Sequence, residues 1–110
     1  MAGRRRSVVW TFTAHQQLDE IVGYIAQDSF DAALRVLDKI LEAGGSLTHL
    51  AHRGRVVPEI QDENVREIFV YSYRLMYELY GDEVQILSVI HGARDFAAWL
   101  ERHGRPVPEG

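Results

Sequence analysis

The chain has no cysteine, a single lysine (Lys39) and no long apolar run. Without cysteine it can form neither a disulfide framework nor a thiolate metal site, and it has no cysteine nucleophile. A cysteine-free chain is what a reducing compartment permits, so we expect the protein in the cytoplasm. No stretch approaches the roughly 18 to 20 apolar residues that span a bilayer, so no membrane association is expected.

Positive charge is in the minority. Sixteen acidic residues stand against twelve basic ones, and the net charge is −4 at pH 7. Proteins that hold a nucleic-acid backbone gain much of their affinity from clustered lysine and arginine, so direct nucleic-acid binding is not expected from the overall charge. A local basic patch stays open as an alternative, because seven arginines lie in the stretch from Arg53 to Arg105.

Motifs for nucleotide and metal chemistry are missing as well. The chain contains no glycine-rich loop of the kind that cradles phosphates. His49 and His52 have the spacing of metal ligands, but no further ligand of the usual kind lies close in sequence, so we expect no metal and no cofactor. Catalysis by histidine is not favoured, since His91 has no evident partner. These residues favour a binding protein over an enzyme.

The length fits one domain. A chain of 110 residues, 46% of them hydrophobic, can bury one core but has no room for a second. We place this domain at residues 8–103. We expect it to lie between a flexible basic N-terminus, residues 1–7, and a flexible tail, residues 104–110.

The N-terminal half predicts a strand followed by two helices. Residues 8–12 are β-branched and aromatic, and Thr13 with Gln16 forms a capping box, which predicts that the first helix begins near Thr13. Asp28 and Ser29 offer caps for a second helix. Together these features predict an antiparallel helical hairpin.

Each predicted helix carries an apolar stripe with helical spacing. Gly44 and Gly45 predict a left-handed end to the second helix. The apolar stripe of the first helix consists of Leu18, Ile21, Val22 and Ile25, and the apolar stripe of the second consists of Phe30, Leu34, Leu37 and Leu41.

The C-terminal half changes to the alternation typical of strands. Residues 46–64 show no sustained period and are interpreted as a long connection. Residues 65–71, 74–80 and 84–90 predict three consecutive antiparallel strands, and residues 95–103 a short final helix. The fold class is therefore α+β, with the order β-α-α-β-β-β. The helical hairpin packs on a small twisted antiparallel sheet, and a short C-terminal helix follows.

The predicted strands have two unlike faces. Ile68 and Val70 alternate with Glu67 and Phe69, so one face is expected to pack on the helices and the other to remain for binding.

Several short segments, taken in order, carry a family resemblance. They cover about residues 8–96, and their order and spacing resemble the ParE/RelE toxin superfamily of type II toxin–antitoxin systems, with the ParE-like branch favoured. The segments are Trp-Thr-Phe-Thr-Ala at 10–14, Gly-Arg at 54–55, Pro-Glu at 58–59, Val-Arg-Glu at 65–67, Tyr-Arg-Leu at 73–75 and Ile-His-Gly-Ala-Arg-Asp-Phe at 90–96.

The resemblance implies a RelE-like fold, a role in plasmid stabilization and neutralisation by a cognate ParD-like antitoxin. The antitoxin segment is expected to cover the apolar groove of the helical hairpin. The candidate antitoxin-binding residues are Leu18, Val22, Ile25, Leu34, Leu37 and Leu41.

The resemblance leaves two targets open, besides a chain that has lost toxicity and keeps only antitoxin pairing. Members of the ParE branch poison DNA gyrase, and we expect this chain to inhibit gyrase by binding it. The alternative is a RelE-like, ribosome-dependent and metal-independent mRNA endoribonuclease, whose catalytic residues would be Arg66, Arg74 and Arg94. Glu67 stands where RelE-like enzymes present lysines, and no tyrosine follows Arg94, which favours gyrase.

The candidate target-binding residues lie on one strand and around the final helix. They are Arg74, Arg94, Asp95, Phe96 and Trp99. Each also has a structural interpretation: Arg74 as the ion-pair partner of Glu78, Arg94 and Asp95 as a turn whose Asp95 caps the final helix, and Phe96 and Trp99 as core residues.

Overall fold

Strands and helices follow one another in the predicted order, and the α+β class is confirmed. The computed structural model describes residues 5–109, so part of the predicted flexible N-terminus, residues 1–4, lies outside the described residues. The elements are β1 (Ser7–Trp10), α1 (Phe12–Ala26), α2 (Phe30–Ser46), β2 (Arg55–Val56), β3 (Val65–Val70), β4 (Tyr73–Tyr80), β5 (Glu83–His91) and α3 (Phe96–His103).

The strands form one mixed sheet in the order β1-β5-β4-β3-β2. The predicted meander β3-β4-β5 is antiparallel throughout, but β1 pairs in parallel with β5, with Trp10 opposite Ile86. The long connection contributes the short strand β2, which pairs with β3. The antiparallel sheet of the prediction is thus extended at both edges, by β1 from the N-terminal end of the chain and by β2 from the long connection.

The start of α1 differs from the prediction. The cap is Thr11, not Thr13 with Gln16: its Oγ1 accepts from the amide of Ala14 at 3.1 Å and donates to the carbonyl of Ile86 at 2.9 Å. Thr11 is buried at the end of β1, where it can satisfy the helix and β5 together, whereas Thr13 is exposed. Ser29 caps α2 as predicted, accepting from the amide of Ala32 at 3.1 Å.

The predicted end of α2 at Gly44 and Gly45 is wrong, because the helix continues to Ser46. Gly44 is buried where α2 crosses the sheet. A Cβ at this position would lie 3.0 Å from Cδ1 of Ile86 and 3.1 Å from Cζ2 of Trp10. Gly44 therefore permits close packing instead of a left-handed turn.

Hydrophobic residues pack on both faces of the sheet. The face toward α1 and α2 carries the larger core, which includes Ile40, Leu75, Tyr77, Ile86 and Val89. The opposite face, called the far face below, carries a second cluster beneath α3: Val57, Val65, Met76, Leu87, Ile90 and Phe96. The predicted packing of one face against the helices is confirmed, and the other face is partly covered by α3.

The two adjacent glycines of α2 give a matched stability test. Gly45→Ala, with no atom within 4 Å of the new Cβ, should gain up to about 1 kcal/mol of unfolding free energy from helix propensity. Gly44→Ala should be less stable than Gly45→Ala by about 1–3 kcal/mol, because Trp10 and Ile86 must move. Urea unfolding measures both. Equal stability of the two variants would contradict the close packing at Gly44.

Candidate functional site

The far face carries four charged side chains that alternate in sign: Arg55, Glu67, Arg74 and Glu59, together called the charged cluster. Arg74 Nε donates to Glu67 Oε1 at 2.6 Å, and its two terminal nitrogens donate to Glu59 at 3.0 and 2.8 Å. The other oxygen of Glu67 accepts from Nε and Nη2 of Arg55, both at 2.7 Å. The formal charges of these four groups cancel.

Strand register assembles this cluster. Arg55 on β2 lies directly opposite Glu67 on β3, and Arg74 on β4 lies opposite Phe69, one diagonal step from Glu67. Glu59 reaches the same face from the connection between β2 and β3. The side chain of Glu67 is 0% exposed and that of Arg74 is 7% exposed. Each charge therefore needs the other to offset the free-energy cost of its removal from water.

Helix α3 is held on this cluster. The Arg74 guanidinium carbon lies 4.9 Å from the centre of the Phe96 ring, a cation–π arrangement. Asp95 caps the helix, accepting from the amide of Ala98 at 3.1 Å. Phe96 stacks on Trp99 with 5.7 Å between ring centres, and Trp99 on His103 with 4.7 Å. The charged cluster therefore sets the position of an aromatic row.

Glu59 and Arg74 each favour the ionised form of the other. The hydrogen bonds from Arg74 hold the pKa of Glu59 below its ordinary value of 4.5. The same contact with Glu59 raises the pKa of Arg74. Arg74 is therefore a fully paired cation.

The three arginines of the ribonuclease hypothesis do not converge. Arg66 lies opposite Tyr77 and so points to the helix side of the sheet, where it donates to the carbonyls of Gly54 and Glu63, each at 2.9 Å. Arg74 points to the far face. Arg94 lies beyond the end of β5, is exposed, and lines a cleft of about 490 Å³.

The candidate target-binding residues divide into buried and exposed members. Arg74 and Phe96 are buried, Asp95 is exposed but engaged as a helix cap, and Trp99 is half-buried. Arg94 is the most freely presented of the five. The ion pair expected between Arg74 and Glu78 is replaced by the pairs with Glu59 and Glu67.

The pairing of Glu59 and Glu67 with Arg74 is not evident from the sequence, in which Glu67 stands where RelE-like enzymes present lysines. Glu59 lies in a connection without periodicity, so its partner could not be assigned. The pattern that could have indicated the Glu67 pair is the alternation of β3 and β4, which places Glu67 and Arg74 on the same face.

The helical hairpin presents a second surface. Leu18 is 5% exposed and belongs to the core, while Val22, Ile25 and Leu37 are half-buried. Leu34 and Leu41 are 42% and 46% exposed, and Phe30, on the same stripe of α2, is 67% exposed. Phe30, Leu34 and Leu41 are called the exposed strip below. It is an apolar surface along one helix.

Two features are absent from residues 5–109. No group of three or more histidine, aspartate or glutamate side chains is placed to hold a metal ion there. Nor does any helix within these residues have the length and apolar character needed to cross a membrane.

Known proteins share both sequence and fold with this chain. Residues 8–96 match the family described as ParE toxin of type II toxin-antitoxin system, parDE. The curated protein named "Putative toxin Y4kP", from Sinorhizobium fredii, is 35% identical over an alignment of 89 residues that covers 79% of this chain and 88% of that protein.

Solved structures agree with these matches. The chromosomal ParDE TA system from P. aeruginosa contains a chain that is 26% identical, with a TM-score of 0.66, over 79% of this chain and 96% of that one. The toxin-antitoxin complex RelBE2 from Mycobacterium tuberculosis contains one that is 24% identical, with a TM-score of 0.60, over 83% and 95%. The second likeness is one of fold.

The charged cluster predicts a pH dependence of stability. The pKa of Glu59 is lower in the folded chain than its ordinary 4.5, so its contribution is present above 4.5 and is lost as the pH falls through the folded value. In urea unfolding between pH 7 and pH 3, Glu59→Gln should lose less stability than the parent chain. Glu63→Gln, in an exposed loop position, is the control and should keep the parent profile. A Glu59→Gln profile identical to that of the parent chain would refute the contact.

Proposed function

The chain belongs to the ParE toxin family of type II toxin–antitoxin systems, and from that membership we propose that it inhibits DNA gyrase by binding it and is neutralised by a ParD-like antitoxin. It acts in the cytoplasm, through the single domain of residues 8–103, and serves plasmid stabilization. The observation that favours gyrase over messenger RNA is the neutral charged cluster on the far face.

Cleavage of RNA through the 2′-hydroxyl requires cations that offset the charge on the phosphorane. All three side-chain nitrogens of Arg74 donate to the carboxylates of Glu59 and Glu67, and Arg55 is bound to Glu67. A phosphate entering this site would have to displace Glu59 and would meet the buried charge of Glu67. The balance of charge therefore supports a protein-binding toxin.

The target-binding surface that we propose centres on Arg94 and Trp99. Arg94 is exposed at the end of β5, and half-buried Trp99 lies on the adjoining helix. Arg74, Asp95 and Phe96 belong to the same surface as positioning residues, because they hold α3 through the cation–π contact and the helix cap. Arginine and tryptophan are also the residue types that most often dominate binding energy at protein interfaces.

The antitoxin-binding surface that we propose is the helical hairpin. The exposed strip supplies the contact area, with half-buried Val22, Ile25 and Leu37 beside it and Leu18 beneath. An amphipathic antitoxin segment can lay its apolar face on such a stripe. The solved relatives named ParDE and RelBE2 are toxin–antitoxin assemblies, which supports a partner of this class.

The target is tested with purified toxin in two parallel assays: gyrase supercoiling and DNA cleavage, and mRNA cleavage on translating ribosomes. We expect inhibited gyrase and intact message. Arg94→Ala should weaken gyrase inhibition by about tenfold, or about 1.4 kcal/mol, with antitoxin affinity unchanged. Arg102→Ala, an exposed arginine on α3, is the control. Cut message with active gyrase would overturn the proposal.

The antitoxin surface is tested with an added charge. Leu34→Glu should weaken antitoxin binding at least about tenfold, because a carboxylate would be buried against an apolar partner. Gln16→Glu adds the same charge at an exposed polar site of α1 and should bind normally. Titration calorimetry measures both, and circular dichroism checks the fold. Equal affinities would place the antitoxin elsewhere.

A further inference from the structure

The last described residues, 104–109, lie against the far face and are called the strap below. Gly104, with φ of 74°, ends α3 in a backbone conformation that favours glycine and redirects the chain. Arg105 then contacts Asp62 at 3.2 Å and Glu78 at 3.4 Å. Glu109, at the other end, reaches β5 and α1. The strap thus crosses from the connection before β3 to the start of α1.

The buried side chain of Gln85 is hydrogen-bonded to the backbone of the strap. Gln85 is 2% exposed, and both ends of its side-chain amide bond to Glu109, while Nε2 also donates to Oε1 of Glu83 at 3.0 Å. Its Nε2 donates to the carbonyl of Glu109 at 2.5 Å, and its Oε1 accepts from the amide of Glu109 at 2.7 Å. Pairing with the N–H and C=O of one residue recognises an extended backbone whatever its side chain. Without this partner, Nε2 of Gln85 would keep only its bond to Glu83, and the side-chain oxygen would lose a bond that burial makes costly to lose.

The N-terminal end of α1 binds the side chain of Glu109. The Glu109 carboxylate accepts from the amide of Phe12, the first residue of α1. That amide has no partner within the helix, and the N-terminal end of a helix favours negative charge. The cap Thr11 is engaged with Ala14, so it leaves the Phe12 amide to the strap. The site therefore selects an acidic residue at this position.

The strap leaves space beneath it. A cavity of about 310 Å³ lies between the strap and the domain, lined by residues that include Leu87, Ser88, Trp99, His103 and Val107. Val107 borders this cavity but is 64% exposed, so the strap does not fill it. This volume is near the lower end for small-ligand sites, which are about 300–1,000 Å³. A larger apolar side chain at the Val107 position would have room.

We propose that this groove is a docking site for an extended segment of a protein partner that carries one basic and one acidic residue, and that the strap occupies it in cis as a displaceable competitor. The partner segment carries a basic residue that meets Asp62 and Glu78, and an acidic residue four positions later that meets Gln85 and the start of α1. An apolar residue between them enters the cavity beside Trp99.

The weak contacts of Arg105, at the N-terminal end of the strap, make the strap displaceable. The side chain of Arg105 is 41% exposed, and its ion pairs are long, so each contributes little. Tethering gives the strap an effective concentration on the order of millimolar, so a free peptide with the same contacts competes only near that concentration. A partner segment that also fills the cavity competes at lower concentration. This inference does not depend on gyrase or on the antitoxin surface.

The absence of cysteine permits a direct test in the full chain. Val107→Cys is labelled with bimane, a fluorophore that a nearby tryptophan quenches. With the strap docked beside Trp99, we expect quenched emission that recovers in the additional variant Trp99→Phe. In the labelled chain, Glu109→Gln should raise the emission by loosening the strap, whereas Glu101→Gln, an exposed carboxylate of α3, should not.

Displacement is measured with a synthetic peptide of the strap sequence, Gly-Arg-Pro-Val-Pro-Glu-Gly. It should restore emission at millimolar concentration, and the peptide with glutamine in place of glutamate should need about tenfold more. Emission unaffected by Trp99→Phe would overturn the docked strap, and equal action of both peptides would overturn acidic recognition. Quenching that increases with protein concentration would indicate exchange of straps between two copies, contradicting the cis arrangement.

Discussion

Arg74 is held between two carboxylates, Glu67 on the neighbouring strand and Glu59 in the preceding connection, and much of the far face depends on this contact. Removing either carboxylate would leave a cation that is only 7% exposed without its full complement of partners, which is strongly destabilising. Phe96 packs on the same guanidinium, so the position of α3 follows from the ion pairs. The interaction joins strand register, loop conformation and the placement of the C-terminal helix.

The two faces of the sheet serve different purposes because their side chains differ in chemistry. The hairpin side is apolar, with Leu75 and Tyr77 packed beneath α1 and α2, and the outer stripe of α2 remains uncovered. The far face mixes apolar packing with paired charge and accepts α3 and the strap. A domain of this size can therefore offer a helical surface to one partner and a second, separate surface to another.

Fold alone does not determine what this chain binds or acts on. Similar backbones occur in structures named ParDE and RelBE2, with TM-scores of 0.66 and 0.60. In this chain Glu59 and Glu67 neutralise Arg74 on the far face, and Arg66 points away from it. A shared scaffold can support different activities because activity depends on a few side chains whose substitution leaves the core intact.

The sequence by itself determined the order of the main elements, the hairpin and the three-stranded meander, because periodicity and local spacing encode these features. It also determined the family, through the resemblance of its short segments to known toxins and the match over residues 8–96. Ser29 as a cap was predictable from its neighbours. The parallel pairing of β1, the cap at Thr11 and the helical role of Gly44 were decided only by tertiary structure, since each depends on contact with Ile86 far along the chain. The candidate site likewise has a part that the sequence indicated and a part that only the folded structure decided. Arg74 was identified from a local motif, whereas its pairing with Glu59 across the fold required the assembled sheet.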